Sequence, residues 1–181
     1  SQAITVEEAR QEAAYVIEQI APYRITYPVV FDWERQNYAG SRTQTIPDTD
    51  LLCSMANAFC ADIEAAGYEA MIYFYQNLAY NNLDLSQLLD YPFWLAQYTD
   101  YPSFYYDFDM WQYTSSGKVP GISGNVDLNL RFFRDGELPP EDSEEELPQD
   151  LQNQGEDEEE LPQDLRGTMN SDTEEDSGSS R

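Results

Sequence analysis

The sequence predicts an α/β chain, a partial and degenerate parallel barrel of about five strands, followed by a disordered acidic tail. Three observations lead there: a sharp change of composition near Gly136, an alternation of helical and strand periodicities ahead of it, and a count of five strand-like segments. Nearly all aromatic and branched apolar residues precede Gly136, which leaves about 136 positions for one core of ordinary size. Residues 137–181 are dominated by Glu, Asp, Pro, Gln, Ser and Gly without a single aromatic, and cannot bury enough apolar surface to offset the entropy of ordering. The predicted division is therefore 1–136 and 137–181.

The first element follows from Thr5-Val-Glu-Glu8, a capping box, and from Val6, Ala9, Ala13, Val16, Ile17 and Ile20 recurring at helical spacing. A helix over 5–21 results, stopped by Pro22. Tyr27 to Trp33 is short, apolar and β-rich, the pattern of a buried parallel strand, and a polar loop follows it. Leu52, Met55, Phe59 and Ile63 form one apolar stripe, so a second helix is expected over 50–66 with Gly67 as its stop. Ala70 to Tyr75 reads as a strand, Leu85 to Leu89 as one helical turn, and Phe93 to Tyr98 as a third strand. Two more strands, 108–114 and 126–133, are joined by the Gly-rich segment Ser115 to Gly124. Five strands of a TIM-like (β/α) barrel that needs eight leave two open sheet edges, at 29–33 and 126–132.

Charge narrows the partners. A formal net charge of −26 argues against nucleic acid, whose binding depends on Lys and Arg neutralising phosphates. An aromatic content of 14%, mostly Tyr, favours a polysaccharide bound by ring stacking and hydrogen bonds. No run of about 18 apolar residues and no basic and apolar leader are found, so neither a membrane span nor a signal peptide is expected in these residues. Cys53 and Cys60 stand seven apart on one predicted helix, about 10 Å along its axis. They cannot pair with each other and are expected as buried thiols. With no histidine in the chain, no metal site and no cofactor are expected. Within the tail, Glu144 to Leu151 (EEELPQDL) recurs as Glu158 to Leu165; this is either a low-complexity spacer or a pair of acidic motifs for a basic protein partner.

The candidate chemistry lies in Asp32 and Glu34. One residue apart at the end of a strand, they leave the same face about 6–7 Å apart along the backbone. Glycoside hydrolysis needs two such carboxyls, one protonated to release the leaving oxygen and one ionised to stabilise positive charge at the sugar. Like charge and partial burial should raise one pKa, and Glu34, with the longer reach, is the expected acid. The bland alternative is the polar end of a strand running into a loop, but the carboxyl ends of parallel strands are where such sheets carry their sites.

With these residues in view, the chain resembles the glycoside hydrolase family 25 lysozymes, which cleave the bond between N-acetylmuramic acid and N-acetylglucosamine in peptidoglycan. YPVVFDWE carries the Asp-x-Glu signature at Asp32 and Glu34; Gly67 to Tyr73 (GYEAMIY), Trp94 to Tyr98 (WLAQY), Trp111 to Tyr113 (WQY) and Ser115 to Asn129 (SSGKVPGISGNVDLN) resemble the strands that follow. The likeness spans roughly residues 5–133. It implies Glu34 as general acid, Asp32 as its charge-stabilising partner and Asp127 as a further site carboxylate. It also implies that Tyr73, Trp94, Tyr98 and Gln112 line a sugar groove. The family's first three strands, the first with another active-site aspartate, have no counterpart ahead of Ser1, so the resemblance implies the rear five-eighths of a barrel. Peptidoglycan glycan strands are the implied partner, and the cell wall or extracellular space the implied place of action. Two other classes remain open at this point: a non-catalytic cell-wall carbohydrate-binding fragment, and an acidic interaction protein working through its tail.

Overall fold

The computed structural model describes residues 1–133; the expected tail, its repeat and the expected boundary near 136 lie outside the described residues. Two long helices, a shorter one and a 3-10 turn are interleaved with the first three of five strands, and the last two strands follow without a helix between. In chain order these are α1 (Val6–Ile20), β1 (Val29–Asp32), α2 (Thr49–Ala65), β2 (Ala70–Tyr75), α3 (Gln76–Asn82), the 3-10 turn Leu85–Gln87, β3 (Phe93–Ala96), β4 (Met110–Gly117) and β5 (Val126–Arg131). The strands lie side by side in chain order as one curled half-barrel sheet. Among the described residues its open edges are β1 and β5, as the strand count requires.

The helix ends obey local chemistry. Thr5 Oγ1 accepts from the Glu8 amide (3.2 Å), which satisfies a donor that a helix start leaves free, and the Glu8 carboxylate accepts from the Ile4 amide (2.9 Å), one residue ahead of the cap. Asp48 Oδ1 caps α2 through the Leu51 amide at 2.9 Å. Gly67, at φ +90°, ends α2 in the left-handed region, and the Tyr68 amide returns to the Ile63 carbonyl.

One face of the sheet packs under the helices. Phe31 and Trp33, Ile72 and Phe74, and Phe93 and Leu95 alternate outward from successive strands into a core shared with Leu52, Met55, Phe59 and Ile63 of α2. Phe31 meets Phe59 at 5.4 Å between ring centroids, and Phe74 meets Phe93 at 5.1 Å. The Trp33 indole donates to the Ala3 carbonyl inside this layer, so its one polar atom is satisfied. Cys53 and Cys60 are both buried and free, and burial pushes the Cys60 thiol up to about 12.

Three features depart from expectation. β1–β2–β3–β4 are parallel, but β5 runs antiparallel to β4 with two register irregularities, so the parallel barrel pattern ends one strand early. β4 continues to Gly117, into what the sequence presents as loop; a Cβ at Gly117 would stand 2.4 Å from the Leu128 side chain, so the glycine admits the crossing strand. α3 was not expected: QNLAYNN has only Leu78 and Ala79 buried and no side-chain cap, and it forms by packing on β2 rather than by propensity.

Candidate active site

The other face of the sheet is polar and aromatic, and its composition follows from the period of two. β1 stops at Asp32, short of the expected end, yet the alternation continues through the next two residues. Trp33 enters the core, while Asp32 and Glu34 face the open side. Asp32 stands opposite Tyr73 on β2, Tyr73 opposite Trp94 on β3, and Gln112 of β4 opposite Asn129 of β5. Because β5 is antiparallel, its first residues, Val126 and Asp127, lie beside the end of β4, where Val126 opposes Gly117. This puts Asp127 at the same carboxyl-terminal rim as Asp32 and Glu34.

The side chains form one connected surface. The Tyr73 and Tyr98 hydroxyls both donate to Gln112 Oε1, at 3.2 and 2.7 Å. The Tyr73 and Trp94 rings meet edge to face at 5.1 Å, and the Trp94 indole donates to Asn129 Oδ1 at 3.0 Å. Tyr73, Trp94, Tyr98 and Gln112, each singled out from sequence, are thus neighbours.

Electrostatics ties the carboxylates to this surface. Burial raises the Glu34 carboxyl above its ordinary range, and the charges of Asp32 and Asp127 raise it further; the α-ammonium of Ser1 acts against them. Asp32 is also raised, by burial, with the same ammonium opposing. The Tyr73 hydroxyl is pushed up strongly by burial, then by Glu34, Tyr98, Asp32 and Asp127, which keeps it a proton donor. All three carboxylates therefore act on one hydroxyl. Of the pair, Glu34 is the one whose carboxyl is raised by burial and by both neighbouring carboxylates, whereas burial alone raises Asp32.

Two residues of the surface were missed from sequence. Tyr75, two residues beyond Tyr73, is raised by burial and by Glu34, with Arg35 opposing. Asn129, two residues beyond Asp127, faces the same side, and strand alternation from Asp127 was the signal that could have found it. Among the described residues no group of three or more His, Cys, Asp or Glu side chains has the geometry to hold a metal ion.

A carboxylate pair at the carboxyl-terminal rim of an α/β half-barrel, backed by aromatic rings and an amide, defines the class of (β/α)-barrel glycoside hydrolases. The comparisons agree: a family model described as Glycosyl hydrolases family 25 matches residues 2–122, and the chain belongs to that family. It is 27% identical over 152 residues to a D-alanyl-L-alanine endopeptidase of Streptococcus phage B30, a match covering 77% of this chain and 32% of that protein. The modular autolysin LytC of Streptococcus pneumoniae superposes with a TM-score of 0.61 at 30% identity, covering 70% of this chain and 31% of LytC, and LytC has also been solved with a synthetic peptidoglycan ligand. The spore cortex lytic enzyme SleM of Clostridium perfringens shares the fold at 19% identity and a TM-score of 0.54, over 71% of this chain and 45% of SleM. The chain spans about a third of the length of the first two relatives.

Proposed function

We propose that this chain carries the acid-bearing part of an N-acetylmuramidase site, hydrolysing the bond from N-acetylmuramic acid to N-acetylglucosamine in peptidoglycan at the cell wall. The observation that carries the reading is Glu34, held above its ordinary pKa by burial and by Asp32 and Asp127 at the rim of an aromatic-lined surface. In this reading the protonated Glu34 gives its proton to the glycosidic oxygen as the C1–O bond breaks. Asp32 and Asp127 stabilise the positive charge developing at C1, and water completes the product. Tyr73, Trp94 and Tyr98 offer ring faces to the sugars, and Gln112 offers its amide. No helix among the described residues is long and apolar enough to cross a membrane, which is compatible with action at the wall. We further propose that residues 1–136 form the catalytic-type domain and that the acidic segment 137–181 engages a basic partner.

The phage relative's name speaks of peptide cleavage, and product chemistry separates the two bonds. Purified peptidoglycan incubated with the chain should gain reducing-end muramic acid without a matching gain of free amino groups. Glu34→Gln should slow this by about 10²–10⁴-fold. Release of amino groups instead, or a rate unchanged in Glu34→Gln, would overturn the proposal.

A further inference from the structure

The β4–β5 hairpin is irregular at the point where it carries Asp127. Thr114 pairs with Leu128 and Gly117 with Val126, so Ser115 and Ser116 on β4 together face the single residue Asp127 on β5. Such a bulge interrupts the ladder, and among the described residues no hydrogen bond holds the Asp127 carboxylate itself. The place of Asp127 at the rim therefore depends on the backbone to either side of it.

Two local contacts hold that backbone. Thr114 Oγ1 accepts from the Ser116 amide at 3.1 Å and braces the bulge from within β4. At the base of the loop, Lys118 donates to the Gly124 carbonyl (2.8 Å) and to Asn125 Oδ1 (2.7 Å). These two bonds tie the first residue after β4 to the last two before β5. The loop between has little else to order it: every residue from 118 to 125 is exposed, and Gly121 and Gly124 take φ of +86° and +109°. Lys118 is also the one lysine of the sequence, so no other ε-ammonium can take its place.

We propose, on the reading of Asp127 as a site carboxylate, that Lys118 is a positioning residue that fixes Asp127 at the rim by clamping the β4–β5 loop. The charges that act on Glu34 are those of Asp32, Asp127 and the Ser1 α-ammonium, and Lys118 is not among them. Lys118 thus reaches Glu34 through Asp127, and this fixes the sign of its effect. Losing a nearby cation raises a carboxyl pKa; releasing Asp127 from the rim takes away a raising charge and lowers it. A lysine that steadied an exposed loop with no consequence for the site would leave Glu34 where it is.

Carbon-13 NMR titration of Glu34 in the full chain tests the clamp without requiring turnover. Asp127→Asn should lower the Glu34 midpoint, and Lys118→Met should lower it in the same direction. In the Asp127→Asn background, Lys118→Met should produce no further shift, because the two act along one path. Lys118→Arg keeps the charge and the donors and should titrate as the wild type does. A Glu34 midpoint that Asp127→Asn lowers but Lys118→Met leaves unmoved or raises would overturn the clamp, as would a further shift in the double variant. A midpoint that Asp127→Asn itself leaves unmoved would remove Asp127 from the site, and the clamp with it.

Discussion

The two faces of the sheet are separated by one residue's step along each strand, and they have opposite chemistry. Outward, Phe31, Trp33, Ile72, Phe74, Phe93 and Leu95 are buried in the apolar core beneath the helices. Inward, Asp32, Tyr73, Trp94, Gln112 and Asn129 form a polar and aromatic surface with carboxylates at its rim. The first face draws stability from apolar burial; the second holds like charges close together, which costs stability. The sheet can bear the second because each strand carries both. A one-residue register slip would exchange the faces, so the apolar core also fixes where the site points.

The largest effect expected from breaking this division lies inside the core. Phe74 is fully buried between Phe93 and Phe104, and Phe74→Ala should cost about 3–5 kcal/mol in urea unfolding. On the inner face the sign reverses. Glu34 has a raised pKa in the folded state, so it contributes stability below the unfolded carboxyl pKa and loses it as pH rises through the folded value. Glu34→Gln should therefore raise the melting temperature at pH ~7, with the gain vanishing below pH ~4. Under the proposed mechanism the same shift should make hydrolysis fall as pH rises through the Glu34 pKa. Asp32→Asn removes one raising charge, and should move that fall to lower pH in a pH–rate profile. The smallest effect is expected from Tyr98→Phe, which deletes one of two donors to Gln112. It should weaken glycan binding by about 0.5–1.5 kcal/mol in calorimetry, with little change in unfolding.

The core face was the more legible of the two. A capping box, a Gly stop and apolar periodicity are local signals, and α1, α2 and β2 fell within a residue of expectation. α3 was invisible because three of its seven residues are Asn, a weak helix former, and a helix this short takes its order from packing on β2. The antiparallel β5 was equally hidden, since periodicity reports a strand but not its direction. At the site, strand alternation put Asp32 and Glu34 on one side, and family resemblance supplied Asp127. The pairing of Gln112 with Asn129 depends on register across a bulged, antiparallel ladder, which only the structure gives. Asn129 therefore went unread even though Asp127, two residues earlier, had been singled out.

The account turns on Glu34 being an acid that keeps its proton where an ordinary glutamate has lost it. Selective carbon-13 labelling of glutamate side chains, with the Glu34 signal assigned by comparison to Glu34→Gln, allows its titration to be followed directly by NMR. A Glu34 carboxyl titrating above the usual glutamate range, and shifting down in Asp32→Asn, is the predicted result. Titration at or below the usual value, unmoved by Asp32→Asn, would contradict it.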